Sequence, residues 1–206
     1  KLHIAHVSTA GAVALIKYAK EMGIRITAET CPHYFSITED AVRGYNTGAK
    51  VNPPLRTQKD VDAIKEGLQD GTIDVIATDH APHHMDEEMQ EFDRAPFGIS
   101  GFETALSLSL GLVHEGVLTL EGLVRKMSLL PAQILGINKG TLQEGADADV
   151  VIVDINKEYI VDPSEFLSKG KNTPFSGYQL KGRPVYTFVG GRLNDALQKT
   201  EVAGNA

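Results

Sequence analysis

Residues 78–83 read TDHAPH and place an aspartate and two histidines directly after the apolar run IDVIA. Nearly continuous apolar runs are typical of buried parallel strands, and parallel α/β folds carry their chemistry at the carboxyl ends of such strands. Asp79 has two oxygens, so it can bind a metal ion with one and exchange a proton with the other. The same residues would also suit an acidic turn in which Asp79 caps a helix and the histidines face water.

Polar residues follow other strand-like runs of the chain, which favours a functional site over a turn. His6 ends LHIAHV, His33 lies just past IRITAET, and Asn52 and Arg56 belong to GAKVNPPLR. Any one of them alone is more often structural or solvated than functional. Because the carboxyl ends of parallel strands meet at one rim, we expect several of these side chains to converge there.

Imidazole and carboxylate groups are good ligands for Zn²⁺ and similar ions, and His6 and Asp79 are the two candidates. A catalytic zinc usually takes three protein ligands, so this pair is one short. Cys31 could act as a nucleophile beside His33, but a small buried apolar residue is the favoured interpretation. The sequence contains no G-x-S-x-G elbow, no Walker phosphate loop and no dinucleotide glycine fingerprint after a strand.

Composition excludes several classes of protein. With 206 residues, of which 42% are hydrophobic, the chain can bury a sizeable core. Twenty Lys and Arg against 27 Asp and Glu leave a net charge of −7, so we expect no nucleic-acid binding and no binding to anionic membranes. No apolar run approaches the roughly 20 residues that cross a bilayer. A single cysteine excludes an internal disulfide framework, and we expect a cytoplasmic protein.

The elements that must position these residues follow from hydrophobic periodicity. Strands are predicted at residues 2–7, 24–30 and 73–77. Helices are predicted at 11–22, with Val13, Ile16, Ala19 and Met22 on the buried face, and from Thr57 to Gly71, with Asp60 completing a capping box. Alternation of strands and helices indicates an α/β architecture with right-handed crossovers.

Later segments change in character. Helical patterns continue through FETALSLSLGLVHEG, TLEGLVRKMS and PAQILG, whereas GTLQEGADADVVIVDI and GRPVYTFVGGRL are rich in strand-forming residues. We therefore expect two parts, a partial (β/α) barrel over residues 1–139 and a small β module over 140–206. A complete (β/α)8 barrel takes about 250 residues. We expect the chain, which begins at Lys1 without a methionine, to be a piece of a longer polypeptide.

Five segments, in order, resemble one family. They are HIAHVST, NPPLR, DVIATDHAPH, APFGISGFET and NTPFSGYQLKGRPVYTFVGGR. Together they are similar to the carboxyl half of class I dihydroorotases of the amidohydrolase superfamily, over essentially the whole chain. TDHAPH would also suit hydantoinases and allantoinases, whereas NPPLR and the NTPF segment point more narrowly to dihydroorotases. The resemblance implies the carboxyl-terminal part of a (β/α)8 TIM barrel, strands 6–8, plus part of a β-sandwich.

The resemblance also assigns roles to particular residues. His6 corresponds to a metal ligand after strand 6, and Asp79 to the ligand after strand 8 that acts as general base and acid. Asn52, His83, Phe97 and Gly98 match substrate-binding positions. These roles would serve reversible hydrolysis of dihydroorotate to N-carbamoyl-aspartate in pyrimidine biosynthesis, with one or two Zn²⁺ ions. His33 falls where the family has no metal ligand and is left out of the set.

Three alternatives remain open at this stage. The chain belongs to a dihydroorotase, to a hydantoinase or allantoinase, or to a non-catalytic homologue that serves as structural partner of a transcarbamoylase. A homodimer, with or without aspartate transcarbamoylase, is the family expectation. The family's ligands on strands 1, 4 and 5 have no counterpart here, so we expect the isolated chain to be inactive and to expose the apolar edge of half a barrel.

Overall fold

A computed structural model describes residues 1–194, and its amino-terminal part is built on a parallel sheet. The sheet has the order β1-β2-β3, formed by Leu2–Ile4, Ile26–Thr30 and Val75–Ile76. Leu2 pairs with Ile26, and Glu29 pairs with Val75. The three strands are parallel, so their carboxyl ends share one rim, as expected for an α/β architecture.

Helices connect and cover these strands. Their bounds are α1 Ala10–Glu21, α2 Pro32–Ser36, α3 Gln58–Asp70, α4 Met85–Glu88, α5 Phe102–His114, α6 Leu120–Val124 and α7 Leu130–Leu135. Short 3-10 turns occupy Glu39–Val42, Thr47–Ala49 and Pro163–Glu165. A π-helical turn, Arg125–Leu129, joins α6 to α7, so the two last helical patterns form one continuous helical stretch. None of the helices within residues 1–194 has the length and apolar character needed to span a membrane.

The strands are shorter than the sequence predicts. The first run was expected to reach Val7 but ends at Ile4, because His6 adopts a left-handed φ of 55° that is incompatible with an extended strand. The third run is assigned as strand only at Val75–Ile76, although the Asp74 and Ala77 N–H groups still donate to carbonyls of β2. The shortening therefore places His6 in the turn beyond β1 instead of within the strand.

Two helices show how well local patterns predict burial. In α3, the Asp60 carboxylate accepts hydrogen bonds from the Thr57 N–H at 3.2 Å and the Thr57 hydroxyl at 2.6 Å, and Gly71 ends the helix with φ of 85°. In α1, Val13 and Ile16 are buried as expected. The prediction for Met22 is wrong: it is the C-cap residue beyond the last turn, and it is 63% exposed.

An antiparallel sheet forms most of the carboxyl-terminal part. Its order is β4-β5-β6, from Val150–Ile160, Gln179–Val189 and Arg192–Leu193, which confirms the predicted strand-rich segments. Helix α5 packs on β5, where the Ser107 hydroxyl donates to the Gly182 carbonyl at 2.5 Å. The predicted β module extends to residue 206, and residues 195–206 lie outside the described part of the chain.

The segment between β4 and β5 returns to the parallel sheet. Val161, Phe166 and Phe175 are buried in the same hydrophobic cluster as Val7 and Ile76. Phe175 is fully buried and packs edge-on against Tyr178, with ring centroids 5.5 Å apart. Burial of large apolar side chains is the main stabilising contribution in a core, so this irregular segment is anchored against the α/β part.

The side of the molecule next to β1 exposes apolar side chains. β1 is an edge strand of the parallel sheet. Exposed residues on and beside this edge are Leu2, Leu15, Tyr18, Met22 and Ile24. Large apolar side chains exposed next to a sheet edge favour contact with further polypeptide.

Candidate functional site

The two predicted metal ligands, His6 and Asp79, lie beside each other. His6 follows β1 and Asp79 follows β3, and the His6 Nε2 atom is 3.5 Å from the Asp79 Oδ1 atom. Both side chains are partly accessible, 31% and 27% exposed. Residues from two strands have therefore converged at the rim, as the strand-end argument predicted.

Both residues have an unusual backbone conformation. His6 has φ of 55° and Asp79 has φ of 48°, in the left-handed region that non-glycine residues seldom occupy. Such conformations cost of order 1–3 kcal/mol each and cluster at functional sites. Two hydrogen bonds of the next residue, Val7, restrain the backbone after His6. The Val7 N–H donates to the Glu29 carbonyl at 2.8 Å, and the Val7 carbonyl accepts from the Thr30 hydroxyl at 2.7 Å.

Glu29 of β2 also belongs to the site, although sequence reasoning missed it. Its Oε1 atom is 3.1 Å from His6 Nδ1, and its Oε2 atom is 3.0 Å from His3 Nε2. His3 in turn bonds the Thr27 hydroxyl through Nδ1 at 2.8 Å. Strand alternation could have identified Glu29, because Thr27 and Glu29 occupy one face of ITAET, opposite the buried Ala28 and Thr30.

Cys31 and His33 lie beneath the rim. Cys31 is fully buried with Sγ 3.5 Å from His6 Nδ1, and burial, with the negative charges of Asp79 and Glu29, raises the pKa of its thiol. Its burial confirms the interpretation of Cys31 as a buried residue, and the raised pKa argues against a nucleophilic thiolate. His33 is also buried, and burial followed by repulsion from His6 lowers its pKa to about 3. His33 Nε2 has no hydrogen-bond partner in the described part of the protein.

These side chains fit a metal ion. Ligand atoms of His6, Cys31 and Asp79 all lie within 4.8 Å of one another. Imidazole, thiolate and carboxylate groups all suit Zn²⁺ and similar divalent ions. The group contains His6 and Asp79, the two ligands expected from the sequence, and adds Cys31, which was not expected as a ligand.

A second group of predicted residues meets in the loop after β3. The His83 Nε2 atom lies 3.0 Å from the Phe97 carbonyl oxygen. Gly98 has φ of 136°, and a Cβ atom at this position would collide with the Ala81 side chain. Phe97 itself is exposed. The structure therefore brings His83, Phe97 and Gly98 together in one tight loop.

Asn52 lies in the neighbouring NPPLR loop, where its side chain is exposed and its peptide bond to Pro53 is cis. Lys50 joins the two loops: its carbonyl accepts the Gly98 N–H at 2.8 Å. The Lys50 ammonium is buried and donates to the carbonyls of Phe92 at 2.6 Å and Ala95 at 2.5 Å. No sequence pattern singles out Lys50, because a lysine before a Pro-Pro loop is ordinarily solvated.

Comparison with known proteins identifies relatives of this arrangement. The model of the amidohydrolase family matches residues 2–193. The dihydroorotase of Syntrophus aciditrophicus (strain SB) is 58% identical over 192 residues, which cover 93% of this chain and 45% of that protein. The dihydroorotase of Ruminiclostridium cellulolyticum is 60% identical over 191 residues, with 92% and 45% covered. The chain thus spans less than half the length of these relatives.

Solved structures show the same fold. The L-hydantoinase (dihydropyrimidinase) from Arthrobacter aurescens superposes with a TM-score of 0.87 at 36% identity, covering 93% of this chain and 44% of that one. The dihydropyrimidinase from Brevibacillus agri NCHU1002 superposes with a TM-score of 0.87 at 26% identity, covering 94% and 44%. The family match extends from β1 to β6 and includes both His6 and Asp79. This chain therefore belongs to the amidohydrolase family.

Proposed function

We propose that the chain is the carboxyl-terminal part of a dihydroorotase, which interconverts dihydroorotate and N-carbamoyl-aspartate in pyrimidine biosynthesis. The observation that carries the proposal is the pair His6 Nε2 and Asp79 Oδ1, 3.5 Å apart at the rim of a parallel sheet. The choice of substrate is supported by relatives named dihydroorotase that are 58% and 60% identical to this chain.

In this proposal the three parallel strands are strands 6, 7 and 8 of a (β/α)8 barrel. Residues 1–139 supply that part of the barrel, and residues 140–206 supply part of a β-sandwich. The parallel order β1-β2-β3 and the antiparallel order β4-β5-β6 support this division for the described residues. The remaining strands would come from the rest of a longer polypeptide, whose contact with the exposed apolar residues beside β1 would cover them.

The proposed metal is Zn²⁺, as one ion or two, held by His6 Nε2 and Asp79 together with residues outside this chain. Bound there, zinc would polarise the ring amide and lower the pKa of the attacking water. The fit is supported by the possible ligand atoms of His6, Cys31 and Asp79, which all lie within 4.8 Å of one another. The buried apolar cluster beneath them excludes water from the other side.

Each predicted residue has a defined task in this proposal. Asp79 takes the proton from the attacking water and gives it to the departing ring nitrogen, which is general base and acid catalysis. His83 and Asn52 orient the substrate carboxylate and ring, and the backbone of Phe97 and Gly98 contacts the ring. The hydrogen bond between His83 and the Phe97 carbonyl supports a preorganised binding loop, because positioning lowers the entropic cost of reaction.

A cyclic amidohydrolase of the hydantoinase type is the second candidate. The observation in its favour is the superposition on the L-hydantoinase from Arthrobacter aurescens, with a TM-score of 0.87. The sequence identity to that protein is 36%, against 58% to a dihydroorotase, so the dihydroorotase is preferred. A non-catalytic homologue would lose the His6–Asp79 pair, which this chain retains.

The proposal extends to partners and location. We propose a cytoplasmic homodimer, with aspartate transcarbamoylase as a further partner. The single cysteine, which is free and buried, supports a reducing compartment, because proteins of oxidising compartments more often carry disulfides. The apolar surface beside β1 supports assembly with further polypeptide, since exposed apolar patches mark interfaces.

The proposal is tested with a joined protein. Its amino-terminal part is the segment of the Syntrophus aciditrophicus relative that has no counterpart in this chain, and its carboxyl-terminal part is this chain. The purified protein is supplied with zinc and assayed for ring opening of dihydroorotate, hydantoin and allantoin. We expect turnover of dihydroorotate alone. Asp79→Asn in the joined protein is expected to abolish turnover, and the 206-residue chain by itself is expected to be inactive.

Other outcomes would replace the proposal. Turnover of hydantoin in preference to dihydroorotate would favour the hydantoinase alternative. A folded, zinc-loaded protein that opens none of the three rings would favour a non-catalytic homologue. Turnover by the isolated chain would show that the residues outside it are dispensable.

A further inference from the structure

Glu29 lies between the two histidines of the first strand and its following turn. One carboxylate oxygen is 3.1 Å from His6 Nδ1, and the other is 3.0 Å from His3 Nε2. The Glu29 side chain is 15% exposed. Both of its oxygens therefore already have partners, so Glu29 is poorly placed to act as a metal ligand itself.

The two nitrogens of the His6 ring face different groups. The Nδ1 atom lies 3.1 Å from the Glu29 Oε1 atom and 3.5 Å from the Cys31 Sγ atom, and a carboxylate beside it favours a proton on Nδ1. The Nε2 atom, which lies 3.5 Å from Asp79 Oδ1, is then the nitrogen that can bind a metal ion. His3 Nε2 forms a hydrogen bond with Glu29 at 3.0 Å, and His3 Nδ1 forms one with the Thr27 hydroxyl at 2.8 Å.

The backbone of Glu29 restrains the same turn. Its carbonyl accepts the Val7 N–H at 2.8 Å, immediately after His6 with its left-handed φ of 55°. Glu29 thus restrains His6 twice, through the ring and through the chain that follows it. Without the Glu29 side chain, the His6 ring would lose its 3.1 Å contact at Nδ1 and keep the longer 3.5 Å contacts with Cys31 Sγ and Asp79 Oδ1.

We propose that Glu29 is a positioning residue for divalent metal binding, which presents His6 Nε2 to the ion and is itself supported by His3 and Thr27. Metal-bound histidines characteristically donate their second ring N–H to a carboxylate or carbonyl, and loss of that partner costs about 10–100-fold in metal affinity. This inference rests on the proposed role of His6 as a metal ligand. It adds a residue that contacts neither substrate nor metal.

The test measures metal binding in the joined protein, independently of catalysis. The variants Glu29→Ala and Glu29→Met both remove the carboxylate acceptor, and Glu29→Met keeps the side-chain volume. The variant Glu29→Gln retains an amide oxygen as an acceptor. Dissociation constants for Zn²⁺ and Co²⁺ come from competition with a chelator, and the visible absorption of the Co²⁺ form reports the ligand geometry. The exposed Glu21→Ala serves as a matched control.

We expect Glu29→Ala and Glu29→Met to weaken metal binding about 10–100-fold and to shift the Co²⁺ bands, and Glu29→Gln to lose less than tenfold. Metal binding within about twofold of wild type in either apolar variant would overturn the inference, as would equal losses in Glu29→Gln and Glu29→Met. His6→Ala separates this result from the proposed function. If His6→Ala also binds metal normally, the proposed metal site itself is wrong.

Discussion

The Asn172 side chain accepts a hydrogen bond from the backbone N–H of His83, at 3.0 Å, across 89 residues of sequence. Its amide nitrogen donates to the carbonyls of Gly98 at 2.9 Å and Ala81 at 3.2 Å. The Ser100 hydroxyl donates to the same Asn172 oxygen at 3.0 Å. One buried side chain from the return segment therefore holds both ends of the loop that follows β3.

Replacement of Asn172 by alanine should loosen this loop. The change leaves the His83 N–H and two carbonyls without their partner, and each unsatisfied buried group costs about 1–3 kcal/mol. We expect a lower free energy of unfolding, measured by chemical denaturation, and faster amide hydrogen exchange at His83. The exposed Asn138→Ala is the control and should change neither. Unchanged exchange at His83 would contradict the role given to Asn172.

Replacement of Lys50 by methionine should loosen the loop that follows β3, because Lys50 ties this loop to the NPPLR loop. The methionine keeps the apolar stem but cannot donate to the Phe92 and Ala95 carbonyls, which lie 2.6 and 2.5 Å from the ammonium. It also removes the cation that lies 4.4 Å from the Phe97 ring centroid. We expect a loss of about 1–3 kcal/mol in unfolding free energy and faster limited proteolysis between residues 89 and 97. The exposed Lys59→Met should cleave at the wild-type rate.

Substitution of two glycines by alanine should have opposite effects. At Gly98, φ of 136° and the Ala81 side chain both oppose a Cβ atom, so Gly98→Ala should destabilise the protein by about 1–3 kcal/mol. Gly11 is exposed in α1, and within residues 1–194 a Cβ atom at this position would have no neighbour within 4 Å, so Gly11→Ala should stabilise the protein by about 0.5–1 kcal/mol. Thermal and chemical unfolding of both variants checks the signs. Equal effects would show that the loop at Gly98 relaxes freely.

Stability should depend on pH through His33. Burial lowers its folded-state pKa to about 3, whereas an unfolded histidine titrates near 6.5. Between these values the unfolded chain binds more protons, so stability is present above pH of about 6.5 and is lost as pH falls towards 3. His33→Phe should reduce the slope of unfolding free energy against pH by up to about one proton in this window. The exposed His114→Phe should leave that slope unchanged, and an equal slope in His33→Phe would contradict the prediction.

Local sequence patterns predict the longer helices and the alternation of strands and helices, but not the short helices α2 and α4. The Thr57–Asp60 capping box and the stripe of α3 predict its bounds within a residue, since both depend on contacts inside one helix. The placement of His6 and Asp79 at strand ends also follows from local runs, because parallel strands share one rim. The exact ends of the strands do not follow from the sequence, because a left-handed residue such as His6 ends a strand without a glycine to mark the position.

The partners of the site residues depend on tertiary structure. Glu29 reaches His6 only because β1 and β2 are paired in one register, and a slip of one residue would turn Glu29 to the opposite face. Asn172 and Lys50 contact loops that lie 89 and 45 residues away in sequence. Hydrophobic periodicity describes a residue's own element, whereas these contacts arise when elements far apart in the chain pack around one core. The sequence therefore places His6 and Asp79 at the strand ends, and only the packed structure shows that Glu29, Lys50 and Asn172 contact the site and its loops.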